Sequence, residues 1–208
     1  MKIDHITRWL CMATLLTACS LSSAATEDAA DWPCEQALVS EVAAAVVWDG
    51  PSIDGLEAQW RENPDVAALV HRLAARTTNE AQATAAIAAF AEAQPATARD
   101  QRLSLLFAGV LQLLNQDRQV LNEGILRYAR DQQRRADGLG ERLSEFAQLE
   151  SDTSTAAQTR LTALRGQIDI EQRIFDERES AIPFLCTRPR VIEQRIGQIA
   201  REIAAHLE

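Results

Sequence analysis

Apolar residues fill nearly every position from Leu103 to Leu114 (Leu-Ser-Leu-Leu-Phe-Ala-Gly-Val-Leu-Gln-Leu-Leu), the pattern of a helix enclosed on all sides. Beyond it the apolar set narrows to one stripe: Leu121, Ile125, Tyr128, Gln132, Ala136, Leu139, Leu143 and Phe146. Gaps of three and four residues describe a helix with a single buried seam. No proline or strong turn signal interrupts Arg102–Leu149, so one long helix is predicted, buried at its start and half-exposed later. Around it the pattern predicts four short helices. The first starts at Trp32-Pro33 and carries a stripe of Val39, Val42, Ala43, Val46 and Val47 up to Asp49-Gly50-Pro51. A second runs from Ser52 to Trp60. The third starts at Asn63-Pro64-Asp65, with Val66, Leu69, Val70 and Leu73 facing inward. The fourth follows a capping-box spacing at Thr77–Glu80, buries Ile87 and Phe90 and ends at Pro95, after which Thr97 can cap the long helix. Their apolar faces need a partner and Leu103–Leu114 needs covering, which predicts a compact head.

After a turn at Ser151–Thr155, Leu161, Leu164, Ile168, Phe175 and Ile182 form a new helical stripe. If the chain folds back there, facing residue numbers sum to about 305, from the helical rise. Leu143 then faces Leu161 or Thr162, Leu121 faces Phe184, and Cys186 lies opposite Gln119. Gly138 and Gly140 meet Arg165-Gly166, where small residues would let the helices approach closely. Pro183 and Pro189 bracket a tight connection, Phe184–Arg188. The last helix carries Ile192, Ile196, Ile199 and Ile203 at coiled-coil spacing. Three stripes make a three-helix stalk economical, although the last helix has equal licence to pack on the head. The fold class is therefore all-α: a head over residues 32–120 and a hairpin or stalk over 121–208.

The N-terminus belongs outside that fold. Lys2 and Arg8 precede a short apolar run, Trp9–Leu16, well below the ~20 residues that span a bilayer. Leu16-Thr17-Ala18-Cys19 resembles the lipobox of bacterial lipoproteins, which implies a signal peptide over residues 1–18 and lipidation of Cys19. The alternative is an ordinary secretory signal cut after Ala24 or Ala25. Both export the chain. Ser20 after the cysteine resembles the outer-membrane sorting pattern, so a periplasmic body anchored to the outer membrane is expected. Residues 19–31 are small, polar and acidic and read as a flexible tether with a reach of about 20 Å.

Composition adds constraints. The chain has 208 residues, is 47% hydrophobic and only 5% aromatic, and carries a formal net charge of -9. That charge argues against a dedicated nucleic-acid binder. Of four cysteines, Cys11 lies in the signal and Cys19 is the lipid site, which leaves Cys34 and Cys186. In an exported chain without a CxxC spacing or a neighbouring histidine, these two are expected to form a structural disulfide.

Candidate chemistry is sparse. After signal removal only His71 and His206 remain, and no HExxH, GxSxG, phosphate-binding glycine loop or EF-hand loop occurs. No catalytic, metal or cofactor residue is assigned. Trp48 and Trp60, around a Gly-Pro turn, suit either a recognition surface or the edge of a core. Arg127, Arg130, Arg134 and Arg135 suit an anionic partner or a self-paired solvated face. Gln132, within the seam, suits a polar register-setter. The leading expectation is a non-enzymatic interaction or scaffold component of the envelope with another envelope protein as partner. The rivals are a small-molecule or hydrolytic site in a groove between head helices, and a self-associating coiled coil acting through the last helix.

Overall fold

A computed structural model describes residues 28–208. The signal peptide over 1–18, the lipobox with Cys19 and most of the tether lie outside them. Among the described residues no strand occurs; beyond a helical stretch over 28–31 come six α-helices, α1 (Ala44–Val47), α2 (Pro64–Ala74), α3 (Glu80–Glu92), α4 (Ala96–Leu149), α5 (Thr155–Glu179) and α6 (Ile182–Ala204), with a 3-10 turn at Gln59–Glu62. No helix among them is long and apolar enough to cross a membrane.

The organising helix is α4, 54 residues long, or about 80 Å. Its first part is enclosed as the pattern requires, with Leu103 through Leu111 buried without a break. The shell consists of α2, α3, α6 and the turns before α2, in one cluster that includes Trp48, Ile53, Val66, Val70, Leu73, Ile87, Ile192, Ile196, Ile199 and Ile203. The last helix thus packs on the head, and its isoleucine stripe completes the core. The stalk beyond the head is a two-helix hairpin of α4 and α5, not a three-helix one. Arg195 of α6 fixes this docking by donating to the carbonyls of Leu73, Ala75 and Thr78 at the end of α2. Burial holds this guanidinium below the usual arginine range. At the other end of α6, Arg99 bonds Glu208 at 2.5 Å.

The hairpin register agrees with the sequence. Glu145 faces Arg160, Tyr128 bonds the carbonyl of Arg178, and Gln132 bonds that of Phe175; these pairs sum to 305–307. Two details differ. No atom across the hairpin lies near a Cβ built on Gly138, Gly140 or Gly166, so the glycines mark open space rather than close approach. Phe184 is 76% exposed and does not cover Leu121.

Other local expectations are corrected for identifiable reasons. Residues 32–43 are not helical; only Ala44–Val47 is. The valine spacing fits a helix, but side chains of α4 claim this segment's backbone, as described below. Ser52–Trp60 forms turns that lead into the 3-10 turn. The capping box of α3 uses Asn79 and Gln82, two residues later than Thr77–Glu80. Thr97 does not cap α4, whose N-cap is Pro95. Phe184–Arg188 is helix, not a connection. Pro183 sits in the first turn of α6, where its missing N–H costs nothing, and buried Pro189 is accommodated inside that helix.

Candidate functional site

Residues 28–48 form a strap that runs antiparallel to α4, from the top of the hairpin into the head. At its start, residues 28–31 are helical, and Asp28 and Asp31 each bind Arg130 at 2.6 Å. The part of the expected tether that is described is therefore docked. The two carboxylates raise the pKa of the Arg130 guanidinium, first through the hydrogen bond it donates to Asp31. Next, Cys34 is disulfide-bonded to Cys186 on α6, with Cα atoms 5.5 Å apart. Gln36 adds a hydrogen bond to the carbonyl of Cys186.

Three polar side chains of α4 then take up the strap backbone. Arg118 and the Asn122 amide donate to the carbonyl of Val39. The Asn115 amide both accepts from the N–H of Val42 and donates to its carbonyl. At positions i, i+3 and i+7 these three share one helical face. Arg118 is only 3% exposed and also forks onto Glu193 of α6 at 2.6 and 2.9 Å. One guanidinium thus joins strap, α4 and α6. The strap ends at Trp48, which stacks on Phe107 with ring centroids 4.2 Å apart.

Beneath the start of the strap lies an open groove of about 610 Å³. Trp32, Phe175 and Ile182 supply its apolar wall, and Arg130, Arg134, Gln133 and Glu179 its polar one. Its floor holds Gln132, 5% exposed, which bonds the carbonyl of Phe175 and the carboxylate of Glu179 and accepts from Arg178. Gln132 thus fixes the hairpin register, as its place in the seam suggested. The cleft between head helices α3 and α6 has a volume of only about 60 Å³.

The remaining candidates are placed plainly. Trp48 and Trp60 belong to the core, Trp60 at 1% exposure, so no recognition surface rests on them. The Trp60 indole donates to Gln112. Arg127 pairs with Glu123, and Arg134 and Arg135 with Asp131, which makes these three a self-paired face. Among the described residues, Arg130 alone of the group reaches outside α4, to Asp28 and Asp31. His71 sits exposed against the edge of Trp60, and His206 lies 4.0 Å from Glu202. The reading of residues missed Asn115, Arg118 and Asn122. Their one signal was three polar residues on a shared helical face, just past the run Leu103–Leu114 read as enclosed. No family model matches the chain, no curated protein matches its sequence, and no solved structure matches it.

Proposed function

We propose that the chain is a non-enzymatic, lipid-anchored periplasmic protein of the outer membrane that acts as an interaction component of the envelope. The observation that carries this reading is the disulfide-fastened strap. A Cys34–Cys186 bond persists in an oxidising compartment, which fits the export signal read at Leu16–Cys19. Cys19 precedes Asp28 by nine residues, so an acyl chain on it would lie within about 30 Å of the strap's first anchor on Arg130. The body is then held near the bilayer by the end of the strap next to the groove. That makes the groove wall at Gln133 and Arg134 the surface for another envelope protein. Labelling with a fatty-acid probe tests the anchor: the native chain should be marked and Cys19→Ala should not, and persistent labelling of the variant overturns it. A photo-crosslinker at Gln133 should capture one specific envelope protein in intact cells, and its failure there removes the groove as the contact.

A second reading places a small apolar molecule in the same groove, favoured by its size and by Trp32 and Phe175 on its wall. It moves the ligand site of the earlier expectation from the head helices to the hairpin. Quenching or a blue shift of Trp32 fluorescence on titration with envelope lipid extract supports it, and an unchanged spectrum removes it.

A further inference from the structure

Two grades of attachment divide the strap. From Val39 onward it is bonded to buried or half-buried side chains of α4. Arg118 and Asn122 hold the carbonyl of Val39, and Asn115 holds both backbone groups of Val42. Val42, Ala44, Val47 and Trp48 then pack in or against the head core. Residues 28–38 have no part in that core. Asp28 and Asp31 pair with Arg130, whose side chain is 39% exposed, and exposed pairs of this kind contribute little. The indole of Trp32 bonds the carbonyl of Gln36, within the strap itself. Gln36 adds one hydrogen bond to the carbonyl of Cys186. Beneath residues 30–33 lies the open groove rather than packed side chains. The strong link of this half to the body is therefore the bond from Cys34 to Cys186, both half-buried and so within reach of a thiol in solvent.

We infer that this disulfide is a reversible clamp on the groove wall, opened by a dithiol oxidoreductase of the envelope. A thiolate of the reductant attacks the sulfur of Cys34, the S–S bond breaks, and Cys186 leaves as a thiolate. The reductant's second thiolate then displaces Cys34 from the mixed disulfide. Two electrons pass to the chain, the two protons of the reductant end on Cys34 and Cys186, and the reductant is left as its own disulfide. Local charge sets the direction of attack. Exposed Arg190 stands one turn along α6 from Cys186 and favours a thiolate there, whereas exposed Glu35 beside Cys34 disfavours one. Release is local. With Val39 still held by α4, residues 28–38 lift away, and the wall made by Trp32 and Pro33 goes with them, which uncovers Phe175 and Ile182. Freed Cys34 stays five residues from Val39, within about 17 Å of it. Its effective concentration at Cys186 therefore stays high, and oxidation closes the clamp again. What the opened groove admits rests on the envelope contact proposed above; the opening itself does not.

The test treats the full mature chain in detergent with about 1 mM dithiothreitol and no denaturant. Mass after alkylation should show Cys34 and Cys186 both reduced, with helical circular dichroism unchanged. Cleavage after exposed Glu35 by a glutamate-specific protease should then rise at least about tenfold, while cleavage after exposed Glu41, in the held half, stays as it was. Acrylamide quenching of Trp32 should rise as well, against a constant background from Trp48 and Trp60 in the head core. Reoxidation should restore both readings, and Arg130→Gln should leave the oxidised chain unchanged in both. With glutathione, which has one thiol, the trapped mixed disulfide should sit on Cys34. A bond that resists dithiothreitol until the head unfolds, reduction without faster cleavage after Glu35, or equal acceleration at Glu35 and Glu41 would overturn the proposal. So would rapid cleavage of the oxidised Arg130→Gln chain, or glutathione trapped on Cys186 instead.

Discussion

Arg118 shows how much of this molecule depends on single polar side chains. Almost wholly buried, it donates to a carboxylate on α6 and to a strap carbonyl, and hydrogen bonds of a charged group are the strong ones. Arg118→Ala should lower the unfolding free energy by about 2–3 kcal/mol in urea denaturation, since Glu193 is left half-exposed rather than sealed in. A loss within error of zero would remove the claim that α4 holds the strap. Two glycines of the same helix test the packing from opposite sides. A Cβ on Gly109 would stand 2.6 Å from Val70 and 2.9 Å from Trp60, so Gly109→Ala should destabilise by more than about 1 kcal/mol despite better helix propensity. At Gly140 nothing lies within 4 Å, and Gly140→Ala should stabilise by about 0.5–1 kcal/mol. Equal effects at the two sites would contradict the packing.

At the scale of elements, periodicity revealed what packs by periodicity. Val66, Leu69, Val70 and Leu73, the enclosed run from Leu103, and the α5 stripe all stand where their spacing put them. The strap was illegible because its valine spacing suits a helix, while the groups that hold it extended lie some seventy to eighty residues away on α4. No local pattern contains that competition. Pro189 was read as a boundary, whereas a buried face can carry a proline inside a helix. The hairpin also has a pH signature. The hydrogen bond from Arg160 holds the Glu145 carboxyl below its ordinary range. The backbone N–H of Ser154 does the same for Asp152 at the turn. For Asp131 burial acts upward, but Arg135, Arg178 and Arg134 outweigh it and leave its pKa lowered. Each folded-state pKa is depressed, so the stabilisation is present above the ordinary carboxylate range and fades as pH falls through the lowered values. Hydrogen exchange should show residues 140–165 loosening between about pH 5 and pH 3, ahead of the head, whose core is apolar. Simultaneous loosening of both would refute the assignment.

Across the whole molecule, the Cys34–Cys186 bond closes a sequence separation of 152 residues and joins the start of the strap to the junction of hairpin and head. The pairing was legible by elimination among four cysteines, whereas the route of the chain between them was not. Chain entropy assigns such a loop about 5 kcal/mol at most. Replacing both cysteines with serine should therefore lower the melting temperature by roughly 10 °C. Helical content at low temperature should be nearly unchanged, because no helix depends on the bond for its own hydrogen bonds. Strap, hairpin and head form one oxidised body closed by that disulfide, and the proposed anchor adds an acylated Cys19 ahead of it. The most direct test is titration of free thiols in the mature protein, purified from envelopes and denatured without reductant. No reactive thiol is expected; two or more would contradict the closed body.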